Sequence, residues 1–351
     1  MAIHFDFARL ERVLDAHEKW WAGTLGRPLV KLAVRDAYPA RAVGPILSQA
    51  TCTDFTQSAE AVVDALDAHL GGYEYLGDAF PMVSFDKFGP GVLAAFCGAR
   101  LDNATGGVWF FPDWEREIGE IHVAYDPENV WVKRIKDIYR AAQEKWGGLV
   151  VMGMPDLGGV LDVAATFRGT QNLLVDLYDE PEEVLRVVKE TEAAWRAAYE
   201  DMSRALAPQG MRTDWSGLLS KSPSYILQCD FCYMIGTEMF RKFVLPTLRR
   251  DCAYFPHTIY HLDGVGELNH LDDILKIENL DAVQWVYGDG KPGARHWMDV
   301  YQKIAAAGKR QMIVGSVEDF GYVAKIIGDG LYFTGEVSAA DAAAARAVLG
   351  V

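Results

Sequence analysis

The sequence predicts an α/β fold of the (β/α)8, TIM-type barrel class, a single domain over residues 1–351 with an N-terminal helical extension over about residues 1–70. Two observations carry this expectation. After residue 125, apolar runs of four to seven residues alternate with helical segments, the pattern of a parallel sheet covered on both faces. The length of 351 residues and the 50% hydrophobic content suit one large core, and no Ser-, Pro- or Gly-rich linker divides the chain. Five or six successive strand–helix units favour a closed barrel over an open sheet.

Taken in order, Phe7, Leu10, Val13, Leu14 and Trp20 fall near helical spacing, so the chain opens with a helix over residues 7–22. "RPLVKLAVRD" reads as a strand begun at a proline, and "SAEAVVDALDAHL" as a helix capped by Ser58. Residues 71–112, rich in glycine and aromatics, suit loops and short strands that frame a pocket. The regular part follows: helix 128–146, strand 148–154, and a long helix 180–206 with a proline and acidic residues in its first turn. The strand "MRTDW" comes next, then helix 237–255, strand "TIYHLD", helix 267–277, strand "DAVQWVY", helix 297–308, strand "RQMIVGS", helix 317–327, strand "LYFTG" and an alanine-rich closing helix.

Composition limits the partners. With 34 Lys and Arg against 49 Asp and Glu, the formal charge is -15, which repels a nucleic-acid backbone or an anionic membrane. A local cluster of basic residues can still hold an anionic small molecule. No apolar run approaches the roughly 18 residues of a membrane helix, and the N-terminus has no signal-peptide core, so a soluble cytoplasmic protein is expected. Cys52, Cys97, Cys229, Cys232 and Cys252 are odd in number and scattered, which suits a reducing compartment without disulfides.

In a barrel, chemistry sits where strands run into the loops before helices. That rule selects Asp156, then Asp162 and Arg168 just beyond it, Asp214 and Trp215, His261 and Asp263, Gln284, Trp285 and Tyr287, and Glu336. Strand side chains alternate, so His261 and Asp263 share a face while Leu262 points away. An imidazole beside a carboxylate can bind a divalent metal or act as a base with its orienting partner; equally, Asp263 can cap the next turn and His261 can hydrogen-bond in the core. Cys229 and Cys232 have C-x-x-C spacing, but no second Cys or His pair with zinc-site spacing stands nearby, so they read as small buried thiols. Asp230 between them opens the segment leading to the next helix and is a candidate to face the pocket. Trp109, Phe110, Phe111, Trp114, Trp215, Trp285 and Trp297 are read as lining. The loop "GDGKPGARHW" has basic residues but neither P-loop nor dinucleotide spacing, and reads as a surface loop.

The segments "YLGDAFPMV…GPGVLAAFCGA", "MGMPDLGGVLDVAATFRGTQNLLVDLYDEPEEV", "QCDFCYMIGTEMFRKFVLPTLRR" and "YHLDGVGELNHLDDILKIENLDAVQWVYGDG" together resemble the uroporphyrinogen decarboxylase superfamily, from about residue 10 to the end. The nearest resemblance is to its uroporphyrinogen decarboxylase-like, corrinoid-dependent methyltransferase branch. Two activities anchor that superfamily: cofactor-free decarboxylation of acetate side chains, and methyl transfer between a corrinoid and a thiol that zinc activates. The arginine-rich N-terminal signature of the decarboxylases is missing here. For the methyltransferases the resemblance places His261 at the histidine of an H-x-C strand end, with Asp263 replacing the cysteine and Glu336 nearest the late cysteine.

The resemblance therefore implies a metal-assisted methyltransferase with His261, Asp263 and Glu336 as ligands. Zinc comes first, with manganese or iron also suited to so hard a set. Asp230, His261 and Asp263 are the expected catalytic groups; Asp156, Asp162, Arg168, Trp215, Tyr260 and Trp285 are expected to bind substrate. A corrinoid would arrive on a partner protein, because the D-x-H-x-x-G pattern of histidine-ligated cobalamin carriers is absent. The superfamily also implies a homodimer. Two alternatives stay open: a metal-free decarboxylase or lyase in which Asp230 or Asp263 stabilises a protonated intermediate and Arg168 or Arg212 holds a carboxylate, and a corrinoid or tetrapyrrole carrier without chemistry.

Overall fold

The computed structural model describes residues 2–39, 54–85, 88–104 and 107–351. Cys52 lies outside them; Cys97, Cys229, Cys232 and Cys252 are free thiols. The first helix, α1 (Phe7–Trp21), begins where the Asp6 carboxylate accepts the Arg9 N–H, and buries Leu10, Val13, Leu14, His17, Trp20 and Trp21 on one face.

Seven strands form the main sheet. In chain order they are β1 (Leu29–Arg35), β2 (Glu74–Gly77), β7 (Ser224–Gln228), β8 (His257–Asp263), β9 (Ala282–Val286), β10 (Arg310–Ile313) and β11 (Leu331–Ser338), arranged β2-β1-β11-β10-β9-β8-β7. Every pairing is parallel except β1 with β2. Two smaller pairs complete the strands among the described residues: β3 (Met82–Val83) with β6 (Val151–Met152), parallel, and β4 (Arg100–Asp102) with β5 (Trp109–Phe111), antiparallel.

Helices cover the sheet. They are α2 (Ala59–Leu70), α3 (Leu93–Phe96), α4 (Val130–Trp146), α5 (Val160–Arg168), α6 (Thr170–Asp179), α7 (Pro181–Leu206), α8 (Thr237–Phe243), α9 (Leu245–Tyr254), α10 (Leu271–Ile274), α11 (Met298–Ala306), α12 (Val317–Ile327) and α13 (Ala342–Leu349). Among them, none is long and apolar enough to cross a membrane.

Strand alternation divides the core in two. Outward residues such as Leu227, Tyr260, Leu262, Val283, Trp285 and Phe333 pack beneath the helices. Inward residues Leu29, Ile226, Ile259, Ala282, Met312 and Tyr332 pack against Ala16, Trp20 and Trp21 of α1. This helix closes the end where strands begin: the Trp20 indole donates to Leu331 O at 3.0 Å, Arg310 donates to Trp21 O, and Trp21 stacks on His257 at 4.7 Å. The opposite end is left for a site.

The structure shows a mixed α/β fold with a central parallel sheet, but among the described residues its hydrogen-bonded ladder does not close into the expected barrel. The edge of β1 away from β11 is taken by β2, which returns antiparallel, while β3 pairs with β6. Beyond β6, Met154 N–H reaches Thr213 O at 2.8 Å, after which residues 214–219 leave the sheet as a loop closed by the Arg212–Ser220 bridge. Asp214 holds that loop by accepting the N–H groups of Ser216 and Ile226.

Several element expectations change accordingly. "MRTDW" is no strand, because Asp214 spends its carboxylate on the turn. Helix 237–255 is two helices, α8 and α9, broken beside Pro246, which has no N–H to continue the ladder. The expected helix 267–277 is a 3-10 turn, Val265–His270, running into the single turn of α10. Within residues 1–70, β1 is an integral strand, so this stretch is not wholly an extension.

Candidate metal centre

The end of β8 places His261 and Asp263 on the inward face, half-buried, with His261 Nε2 3.8 Å from Asp263 Oδ2. The chain then turns at Gly264, whose φ of 81 is left-handed and whose N–H donates to Val286 O at 2.7 Å. Asp230 arrives from the next strand. It opens a short 3-10 turn, Asp230–Met234, directly after β7, and reaches solvent at the rim. Ligand-type atoms of Asp230, His261 and Asp263 all lie within 4.8 Å of one another.

Three neighbours set this geometry. Asp162, from α5, accepts the N–H groups of Asp230 at 3.1 Å and Phe231 at 2.7 Å, which seats the turn carrying Asp230. The carboxylate fits because residue 159 is glycine: a Cβ there would stand 2.3 Å from Asp162 Oδ2. Gln284, opposite His261 in the parallel register, receives the Nδ1–H of His261 on Oε1, while its own Nε2 donates to Met312 Sδ at 3.1 Å. That bond leaves the Nε2 lone pair of a neutral imidazole facing Asp230 and Asp263. Trp215, from the inserted loop, stands edge-on to the imidazole at 5.1 Å between ring centres.

The electrostatics are those of a carboxylate cluster around one imidazole. Burial would lower the His261 pKa, but Asp263 and Asp230 outweigh it and the net shift is upward. Burial raises Asp230, and Asp263 raises it further against the opposing His261. Asp156, buried on the loop after β6, is pushed up to about 7 by desolvation although it accepts the Gly158 N–H at 2.9 Å. Glu267 is fully buried, accepts the Tyr260 hydroxyl at 3.1 Å, and is pushed up to about 10 by burial and by the charge of Asp230.

Bonds of about 2.0–2.2 Å put two ligand atoms of one metal at most about 4.4 Å apart. The 3.8 Å between His261 and Asp263 lies within that limit, while the group with Asp230 is held within the wider span of 4.8 Å. One nitrogen and two carboxylates suit zinc, with manganese or iron close behind.

The structure separates the expected site residues. Asp230, His261 and Asp263 come together, with Trp215 against them. Glu336 is outside the group: on the exposed part of β11 it pairs with Arg35 at 3.4 Å and accepts the Tyr73 hydroxyl at 3.2 Å. Arg168 is bound to Asp176 at 2.6 Å and Glu117 at 2.7 Å, with only 11% of its side chain exposed, so its charge is already answered. Tyr260 and Trp285 are fully buried under the helices because they have the opposite strand parity to His261. Asp162 serves the backbone, and Asp156 reaches the cluster through its field. Gln284 was selected as a strand-end residue but without a role, which its bond to His261 now supplies. Glu267 was not selected, because it lies in a 3-10 turn with no periodic signal.

No family model matches the sequence, and no curated protein matches it. A solved structure does: a methyltransferase from Methanosarcina mazei superposes with a TM-score of 0.62 over 97% of this chain and 99% of that one, at 13% identity. At that identity the likeness establishes a shared fold along the whole chain.

Proposed function

We propose that this protein is a metal-assisted methyltransferase of the uroporphyrinogen decarboxylase-like superfamily, moving a methyl group between a corrinoid on a partner protein and a small-molecule acceptor. The observation that carries the reading is the Asp230–His261–Asp263 group at the open end of the sheet. The full-length likeness in fold to a methyltransferase supports it.

In this reading Asp230 replaces Glu336 as the third ligand. A divalent ion, zinc first, would supply Lewis acidity that lowers the pKa of the acceptor's O–H or S–H. Gln284 keeps the imidazole in the tautomer that offers Nε2, and Asp162 holds Asp230 in reach. Trp215 covers the imidazole and narrows the acceptor's approach. Asp156 can hold or release a proton near neutrality beside the site.

The raised carboxylic acid Asp156 also favours a second reading, a metal-free decarboxylase in which Asp156 delivers the proton. It is weakened by Arg168, whose guanidinium is committed to Asp176 and Glu117 rather than to a substrate carboxylate. Elemental analysis of protein purified without chelator separates the two. The methyltransferase reading expects about one divalent ion per chain, lost in His261→Ala and Asp263→Ala. A folded wild-type protein without metal that releases carbon dioxide from a carboxylated compound would establish the second.

A further inference from the structure

Away from the metal-capable group, the structure holds a cavity of about 390 Å³ between β1, β11, α2 and β3. This lies in the roughly 300–1,000 Å³ range of small-molecule sites. Its walls are mainly apolar, with Leu66, Tyr75, Phe80 and Met82 among them; Lys31 enters from β1, and the exposed Glu336, paired with Arg35, also lines it. Neither His261 nor its carboxylate neighbours line it.

Lys31 is only 5% exposed, and its inward parity on β1 directs the ammonium to the interior. Of its three N–H donors, one meets Gly217 O at 2.5 Å and another the weak acceptor Met82 Sδ at 3.4 Å; the ring of Phe80 lies 4.2 Å from the nitrogen. Asp214 is the acid that acts on it electrostatically, but both Asp214 oxygens are engaged by the Ser216 and Ile226 N–H groups. Among the described residues, no carboxylate forms an ion pair with Lys31. Desolvation lowers its pKa to about 7 despite Asp214. A buried cation without a charged acceptor is costly to keep unless something else supplies one.

We propose that this cavity binds a small carboxylate with an apolar or aromatic body, the carboxylate being received by Lys31. The ammonium supplies the charge-assisted hydrogen bond, and the tyrosine, phenylalanine and methionine side chains enclose the body. The proposal is independent of methyl transfer. It concerns the β1–β11 part of the same inward face, three strands from β8 in sheet order from β11, and the loop that carries both Trp215 and Gly217 touches both places.

The test is calorimetric titration of the full chain with 2-naphthoate and with its neutral counterpart 2-naphthamide, in wild type, Lys31→Met and Ala33→Leu. Ala33 lines the same cavity, and its enlargement fills space without touching the charge. The expected result is saturable binding of one naphthoate per chain, weakened about tenfold or more by Lys31→Met. Naphthamide should bind both proteins alike, and Ala33→Leu should weaken both ligands. Thermal melting of each variant shows that it is folded. Equal naphthoate affinity in wild type and Lys31→Met, insensitivity to Ala33→Leu, or no saturable binding to wild type would each overturn the proposal.

Discussion

His261 Nε2 lies 3.8 Å from Asp263 Oδ2, two residues further along the same face of β8. Strand parity places these two together, but the third partner comes from the neighbouring strand, which Asp230 leaves as β7 ends. The first prediction concerns that choice. Asp230→Asn should lose bound divalent metal, and Glu336→Gln should keep the wild-type content, both read by elemental analysis after dialysis. The reverse pattern would return Glu336 to the ligand set.

Gln284 orients the imidazole without itself being a ligand. Gln284→Leu should leave the fold intact and weaken metal binding by about 10- to 100-fold, the usual cost of removing a partner that orients a metal ligand. Competition with a chromogenic chelator measures this. Unchanged affinity would mean that the imidazole keeps its orientation without the amide.

Arg168 and Asp176 form a pair with 11% and 7% of their side chains exposed. Arg168→Met should cost about 3–5 kcal/mol in urea unfolding, because it leaves a buried carboxylate uncompensated. Metal content should be unchanged. The double variant Arg168→Met with Asp176→Leu should recover much of the loss. A variant of wild-type stability would reopen a substrate role for this arginine.

Buried His17 is held neutral. Its Nδ1 accepts the Leu219 N–H at 3.0 Å, Nε2–H donates to Asp78 O at 3.3 Å, and desolvation, aided by the charge of Lys31, lowers its pKa to about 3. Between pH 6.5 and 3 the unfolded chain binds a proton that the folded chain refuses, so stability rises with pH in that window and is lost as pH falls through it. The slope is up to about 1.4 kcal/mol per pH unit for one proton. Urea titrations from pH 7 to pH 4 should show the advantage of wild type over His17→Gln shrinking with acidification. A constant difference would mean that His17 does not titrate there.

Much of the fold is legible from local chemistry. Apolar runs mark β9, β10 and the first half of β11 because these stretches are buried on both faces, and Ser58 marks the start of α2 because its hydroxyl accepts the Ala61 N–H. Parity along β8 pairs His261 with Asp263, and the same rule applied to β9 separates Gln284, which faces the imidazole, from Trp285, which packs beneath the helices. Where the ladder stops was not legible. It depends on β2 returning antiparallel onto β1 and on Asp214 holding its loop away from the sheet, both long-range hydrogen-bonding choices.

The sequence by itself therefore determined the strand–helix alternation, the parity of His261 and Asp263 and the acidic surface, because each follows from residue type and near-neighbour spacing. Only the tertiary structure decided that Asp230 joins them, that Glu336 and Arg168 are committed elsewhere, and that Lys31 enters a cavity. The physical reason is that these partners meet through strand register and side-chain packing across long stretches of chain, where spacing in the sequence carries no distance.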